Sequence, residues 1–258
     1  MKNLLATPAM MIAAVMAAFF AGAISYAEPD DAATALFVSG AFDEAAEAAV
    51  SAGGAENLAL AARAINAEAY LETDNKAARR LSKRALKYAE QAIEDNPVLV
   101  EGHLQAAISY ALRGARMSPV RAFLSGTAGK ARKLLDHALT LDPENAWALS
   151  SSGAWHLEVA RRAGDGRYGS DPEVGFQQFA AARAAQPQNL LIAYEAALRL
   201  LAYDESEARE NGLAALRDAV TLAPQDAFER RVQMRAKVFQ TAVDESREAE
   251  RAYIKAQP

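Results

Sequence analysis

The chain predicts an all-α fold: an α-solenoid of antiparallel helix hairpins with lengthened repeats and a long C-terminal capping helix. Three observations predict it. First, 63 of the 258 residues are alanine, the strongest helix former and a residue small enough to let helices approach closely. Alternating runs of β-branched residues, the signature of strands, are absent. Second, a pattern recurs around Pro97, Pro143, Pro187 and Pro224. Five residues before each stands Ala92, Ala138, Ala182 or Ala219, and eight before stands Ala89, Leu135, Phe179 or Leu216. Twelve before stands Ala85, Ala131, Gly175 or Gly212, and ten after stands Ala107, Gly153, Ala197 or Met234. Third, helix stop and start signals surround these prolines, as in Asp95-Asn96-Pro97 and Asp142-Pro143. Asn96 is expected to cap the next helix, with proline at its first position.

Residues 1–27 read as an export signal. Lys2 gives a positive start, Asn3 to Ala27 carries no charge, and Ser25-Tyr26-Ala27 places small residues where a signal peptidase reads. A periplasmic or secreted location, with cleavage after Ala27, is expected. The charge-free stretch is 25 residues long, and about 20 span a bilayer, so an uncleaved N-terminal membrane anchor is the alternative. The repeat domain is then 28–258. Within it, Ala32–Ala52 reads as a short hairpin turning at Ser39-Gly40 and stopped by Gly53-Gly54. Helices are expected over Glu56–Leu71 and Asn75–Glu94, and one long charged helix over 226–257. Insertions at Arg113–Gly129, Ala163–Val174 and Asp204–Asn211 lengthen the repeats with loops or irregular helix extensions.

Ala131-Arg-Lys-Leu-Leu135-Asp-His-Ala138-Leu-Thr-Leu-Asp142-Pro143 resembles the second helix of a tetratricopeptide repeat, and Ala146 to Glu158, with Gly153, resembles a first helix. Gly175–Pro187 is similar. The resemblance covers about residues 32–225. It implies a protein-interaction scaffold that receives a peptide or helix from another protein in its concave groove, where Gln105, Trp147, Ser151 and Tyr194 are the groove candidates. The segment Gly153-Ala-Trp155-His-Leu-Glu158-Val-Ala160, with Tyr168-Gly169 downstream, also resembles the helical-repeat regulators of microtubule dynamics. Exported tetratricopeptide proteins that accompany TRAP transporters are a more distant likeness. The last points to the alternative function, a transporter-accessory or small-ligand-binding protein with a pocket lined by the insertions.

Little in the chain points to catalysis. There is no cysteine, which removes thiolate nucleophiles, disulfides and cysteine zinc sites. His103, His137 and His156 lack metalloprotease spacing, although His137 and His156 could meet across adjacent helices beside Asp136 or Glu158. Gly126-Thr127-Ala128-Gly129-Lys130-Ala131 lacks the first glycine and the hydroxyl residue of a phosphate loop. No catalytic residue, metal or cofactor is expected. The net charge of −5 argues against nucleic acid as a partner.

Charge is unevenly laid out. Residues 28–75 hold ten acids and one base, whereas 76–133 hold twelve bases and four acids. Lys76, Arg79, Arg80, Lys83, Arg84 and Lys87 fall on one helical stripe at about 100° per residue. The stripe is either a solvated face neutralised by the acidic first hairpins or a docking face for an acidic partner or membrane surface.

Overall fold

The computed structural model describes residues 28–257, so the expected export signal lies outside the described residues. The described residues form thirteen α-helices and no strand. They run as pairs: α1 (Asp31–Ser39) with α2 (Phe42–Ala52), α3 (Ala55–Leu71) with α4 (Asn75–Asp95), and α5 (Val100–Ala115) with α7 (Thr127–Leu141). Then come α8 (Ala146–Ala163) with α9 (Pro172–Ala185), and α10 (Leu190–Leu200) with α11 (Ser206–Thr221). The short α6 (Pro119–Ser125) is inserted in the third pair, and α12 (Ala227–Glu245) and α13 (Arg247–Ala256) close the chain. The expected α-solenoid of helix hairpins is present, and its hairpin boundaries fall within a residue or two of the expected ones.

The proline register works through packing and turns. At the first three junctions the chain makes the same tight turn: Leu99 N–H donates to Asn96 O, Asn145 N–H to Asp142 O, and Asn189 N–H to Gln186 O. Proline occupies the second position of each turn, where its fixed φ belongs. It therefore lies before the next helix rather than at its first position, and Asn96 ends α4 instead of capping α5. The caps one turn later are Asn145 and Asn189, which accept from Ala148 and Ile192 N–H. Proline at a first helical position occurs at Pro172, capped by Asp171.

The small residues of the register are where helices touch. Ala85, Ala89, Ala92, Ala138, Ala182 and Ala219 are fully buried. A methyl group on Gly175 would stand 2.8 Å from Leu157 Cγ, and one on Gly153 would stand 3.0 Å from the Gly175 carbonyl oxygen. Glycine at these two positions is thus what lets α8 and α9 cross so closely.

The register fails in the last pair. Met234 is 60% exposed, whereas Ala107, Gly153 and Ala197 are buried. The reason is that only the short final helix follows α12, so no full-length partner covers this face; α12 packs on α10 and α11 like the inner helices before it, and it also meets the N-terminal hairpins. Its Phe228 ring stands edge-on to Phe42 of α2 (6.2 Å) and Tyr70 of α3 (5.8 Å). Arg235 donates to the Tyr70 and Leu71 carbonyls at the end of α3 (3.2 and 3.0 Å). The inner helices α1, α3, α5, α8, α10 and α12 therefore close into a ring.

The expected long C-terminal helix is two helices. The chain breaks at Ser246, which adopts extended backbone and caps α13 through Ala249 N–H. The short α13 is a strap across one end of the ring. Its Glu250 accepts from Arg209 of α11, its Tyr253 bonds Tyr194 of α10 and the Arg235 carbonyl, and its end reaches Asn75 and Arg116. Of the insertions, the first folds into α6. The second holds a 3-10 turn, Arg167–Gly169. Most of the third belongs to α11, so it is largely regular helix.

Candidate ligand-binding cavity

The inner helices enclose a cavity of about 550 Å³. An apolar belt forms its middle, from Leu104, Ile108 and Leu112 of α5, Ala154, Trp155 and Val159 of α8, Leu191 of α10 and Val232 of α12. A hydrophobic interior with a few converging polar groups is the usual construction of a small-molecule site. Here the polar groups are at the two ends.

At one end Arg63 of α3 reaches between Phe37 of α1 and Trp147 of α8, with its guanidinium carbon 5.0 and 5.8 Å from the two ring centres. Glu101 and Gln105 lie on the same side. A buried lock joins α3 to α5 there: Asn66 donates to the Gln105 side-chain oxygen and carbonyl, and Ser109 donates to Asn66.

At the other end lies a charged network. Tyr70 donates to Glu195 (2.6 Å), Arg199 donates to Glu195 (3.2 Å), and Glu158 is surrounded by Arg161, Arg162 and Arg199. Burial alone would raise the Glu158 carboxyl, but Arg199, Arg162 and Arg161 hold it below the usual carboxylate range. Burial opposes the Arg199 charge, yet Glu195 and Glu158 hold this guanidinium firmly protonated. The Tyr70 hydroxyl is pushed up by burial and by Glu195. Next to this network a recess of about 350 Å³ is lined by Asn75, Arg116, Arg161, Arg162 and Lys255. It shares Ala115, Arg161 and Arg162 with the cavity wall. Four cations and no carboxylate line it, and Arg161, Arg162, Arg167 and Tyr168 are exposed where the cavity opens.

All four groove candidates line this cavity, in different situations. Trp147 and Ser151 are half-buried and face its space. Gln105 is buried and its amide is engaged with Asn66 and Glu101. Tyr194 is fully buried with its hydroxyl on Tyr253, so it is a structural part of the wall. The six-residue basic stripe lies outside the cavity, on the outer face of α4. Lys76, Arg80, Lys83 and Lys87 are exposed. Arg79 donates to the Arg116 carbonyl, and Arg84 pairs with Asp43 of the acidic first hairpin.

His137 and His156, which could have met across adjacent helices, take different partners. His137 meets His103, with ring centres 4.4 Å apart. His156 lies against Arg132 and accepts from the Asp171 N–H. No group of three or more potential metal ligands occurs among the described residues.

Sequence reasoning missed Tyr70, Glu195, Arg199 and Arg63. Glu195 and Arg199 carry a local signal, an acid four residues before a base on one helix, but that pattern is common on exposed faces. Only the ring closure turns it inward.

Comparison with curated proteins finds no match. The family model of regulator of microtubule dynamics protein 1-3 matches residues 34–164, from α1 to the end of α8. That span supplies α1, α3, α5 and α8, four of the six helices around the cavity, and it is just over half of the 258 residues: the chain belongs to the regulator of microtubule dynamics protein 1-3 family.

Proposed function

We propose that the protein is a non-catalytic binding protein whose ligand is an elongated amphiphile held in the central cavity. Its apolar chain lies along the belt of Leu104, Ile108, Trp155, Val159 and Val232, and its anionic end meets Arg116, Arg161, Arg162 and Lys255. The observation that carries this reading is a largely apolar cavity of about 550 Å³ that shares Ala115, Arg161 and Arg162 with a recess lined by four cations, two of which pair with Glu158. Export of the folded body, read from residues 1–27, belongs to the same proposal, and sequencing the mature N-terminus tests it: a start at Glu28 is expected, and a start at Met1 contradicts cleavage. Among the described residues no helix is long and apolar enough to cross a membrane.

Family membership fits an interaction role for the helical array, and this gives the second reading: an extended segment of a partner protein in place of the amphiphile. The half-buried Trp147 and Ser151, which face the cavity, favour it. Closure of the ring by α12 favours the smaller ligand, because a peptide laid along an open groove would meet Phe228 and Val232.

Titration with a fluorescent fatty-acid probe separates the two. Saturable binding that is lost in Ala154→Phe, where the larger side chain fills the cavity, is the expected result. No binding, or binding unaffected by Ala154→Phe, contradicts the reading.

A further inference from the structure

One corner of the molecule is basic beyond what the stripe on α4 conveys. Residues 76–89 contain six bases and residues 102–135 another six, and neither segment contains an acid. The four acids between them, Glu90, Glu94, Asp95 and Glu101, fall at the far end of α4 and the start of α5; Glu72 and Asp74, just before α4, offset only part of the charge of Arg116, Lys76 and Arg80. The fold joins the basic halves. Arg116, at the end of α5, donates to the Glu72 carbonyl (2.8 Å) and Asn75 Oδ1 (3.2 Å), and Arg79 donates to the Arg116 carbonyl (2.9 Å). This staple holds the start of α4 against the turn that leads into α6. Lys76 and Arg80, beside it on α4, and Arg121, five residues after Arg116, are exposed.

The same corner carries an apolar tip. Leu124 of α6 is 77% exposed, more than any other large hydrophobic side chain among the described residues. Met117, just before α6, and Ala122 of α6 line the cavity together with the exposed Arg167 and Tyr168. A leucine held out among cations on a short helix is the arrangement of a peripheral membrane contact, in which basic residues attract acidic head groups and an apolar side chain enters the interface. An acidic protein would be met better by a pocket than by a protruding leucine.

We propose that this corner, formed by Lys76, Arg80, Arg121 and Leu124, docks on an anionic lipid surface and places the cavity opening beside it. Docking is a surface property and does not read cavity occupancy, so it and the ligand reading can fail separately.

Flotation of the folded body, residues 28–258, with phosphatidylcholine vesicles containing about one quarter phosphatidylglycerol tests it. That segment contains every helix of the described residues. Binding to these vesicles, its absence on pure phosphatidylcholine, and release by raised salt are expected. Charge reversal in K76E/R80E/R121E is expected to weaken it by about tenfold or more, and L124D to weaken it with the charges intact. Thermal melts of both variants should match the parent, since all four side chains are exposed. Failure to bind the acidic vesicles, or equal binding by K76E/R80E/R121E, overturns the proposal. Binding to an acidic protein without vesicle binding overturns it as well.

Discussion

Closure of the ring rests on few residues, and Phe228 is the one whose removal is most telling. It is half-buried at the seam, edge-on to Phe42 and Tyr70. Truncating a fully buried phenylalanine costs about 3–5 kcal/mol, and half-burial reduces that to about 2 kcal/mol. Each edge-to-face pair adds about 0.5–1.5 kcal/mol beyond its area. Phe228→Ala is therefore expected to cost about 3–5 kcal/mol, and it opens the wall of the cavity next to Val232. Met234→Ala serves as the control. It lies on the same helix but is 60% exposed, and such surface changes stay within about 0.5 kcal/mol. Guanidinium unfolding measures both, read as the shift in midpoint at constant slope. The probe-binding titration should show weakened binding for Phe228→Ala and unchanged binding for Met234→Ala. A Phe228 variant as stable as the Met234 variant would refute the seam, and α12 would then not be held on α2 and α3.

Gly175→Ala gains about 1 kcal/mol of helix propensity, but its new methyl would press on the buried Leu157 at 2.8 Å. Overpacking of that kind costs about 1–3 kcal/mol, so net destabilisation of up to about 2 kcal/mol is expected by thermal unfolding, and net stabilisation would contradict the tight crossing. Glu250 is fully buried between Arg209 and Arg247. Glu250→Ala strands cations that are themselves part-exposed and should cost about 2 kcal/mol, loosening α13; unchanged proteolysis of the C-terminus would argue against the strap. His156 is held neutral, with its pKa lowered to about 4 by burial and by Arg132. The unfolded chain takes up a proton near pH 6.5 while the folded one does not, so stability falls as pH drops from about 6.5 to 4. The gap between about 6.5 and about 4 corresponds to about 3 kcal/mol, and solvent screening at the part-exposed Arg132 should reduce this to about 1–2 kcal/mol. His156→Gln should flatten that part of the stability profile, and an unaltered profile would assign the loss to other groups.

The helix hairpins were legible because their causes are local. Glycine at 40 and 53 and the Ala-x3-Ala or Gly-x3-Phe spacing of the outer helices each act within a turn or two, and each falls where expected. The turns at Pro97 and Pro143 were placed one residue group too far into the next helix, since proline suits a tight turn as well as a first helical position. Ring closure was not legible. It depends on Phe228 and Arg235 meeting residues more than 150 positions earlier in sequence, and no periodicity reports on contacts of that range. The outward Met234 looked like a fourth repeat position because spacing does not show that only a short helix follows α12. Trp147 and Ser151 could be assigned to the groove by repeat geometry, whereas the inward direction of Glu158, Glu195 and Arg199 followed only from the closed ring. The stripe on α4 was visible from spacing, but its division was not: Arg79 and Arg84 are engaged through partners on α5 and α2.

The central claim is that the closed ring holds an amphiphile. Native mass spectrometry of the protein purified gently from the cells that make it, followed by solvent extraction and identification of what it carries, tests this most directly. One acyl-bearing anionic molecule per chain in the parent, and none in Ala154→Phe, is the predicted result. A parent that carries only peptide, or the same lipid in equal amount on Ala154→Phe, would contradict it.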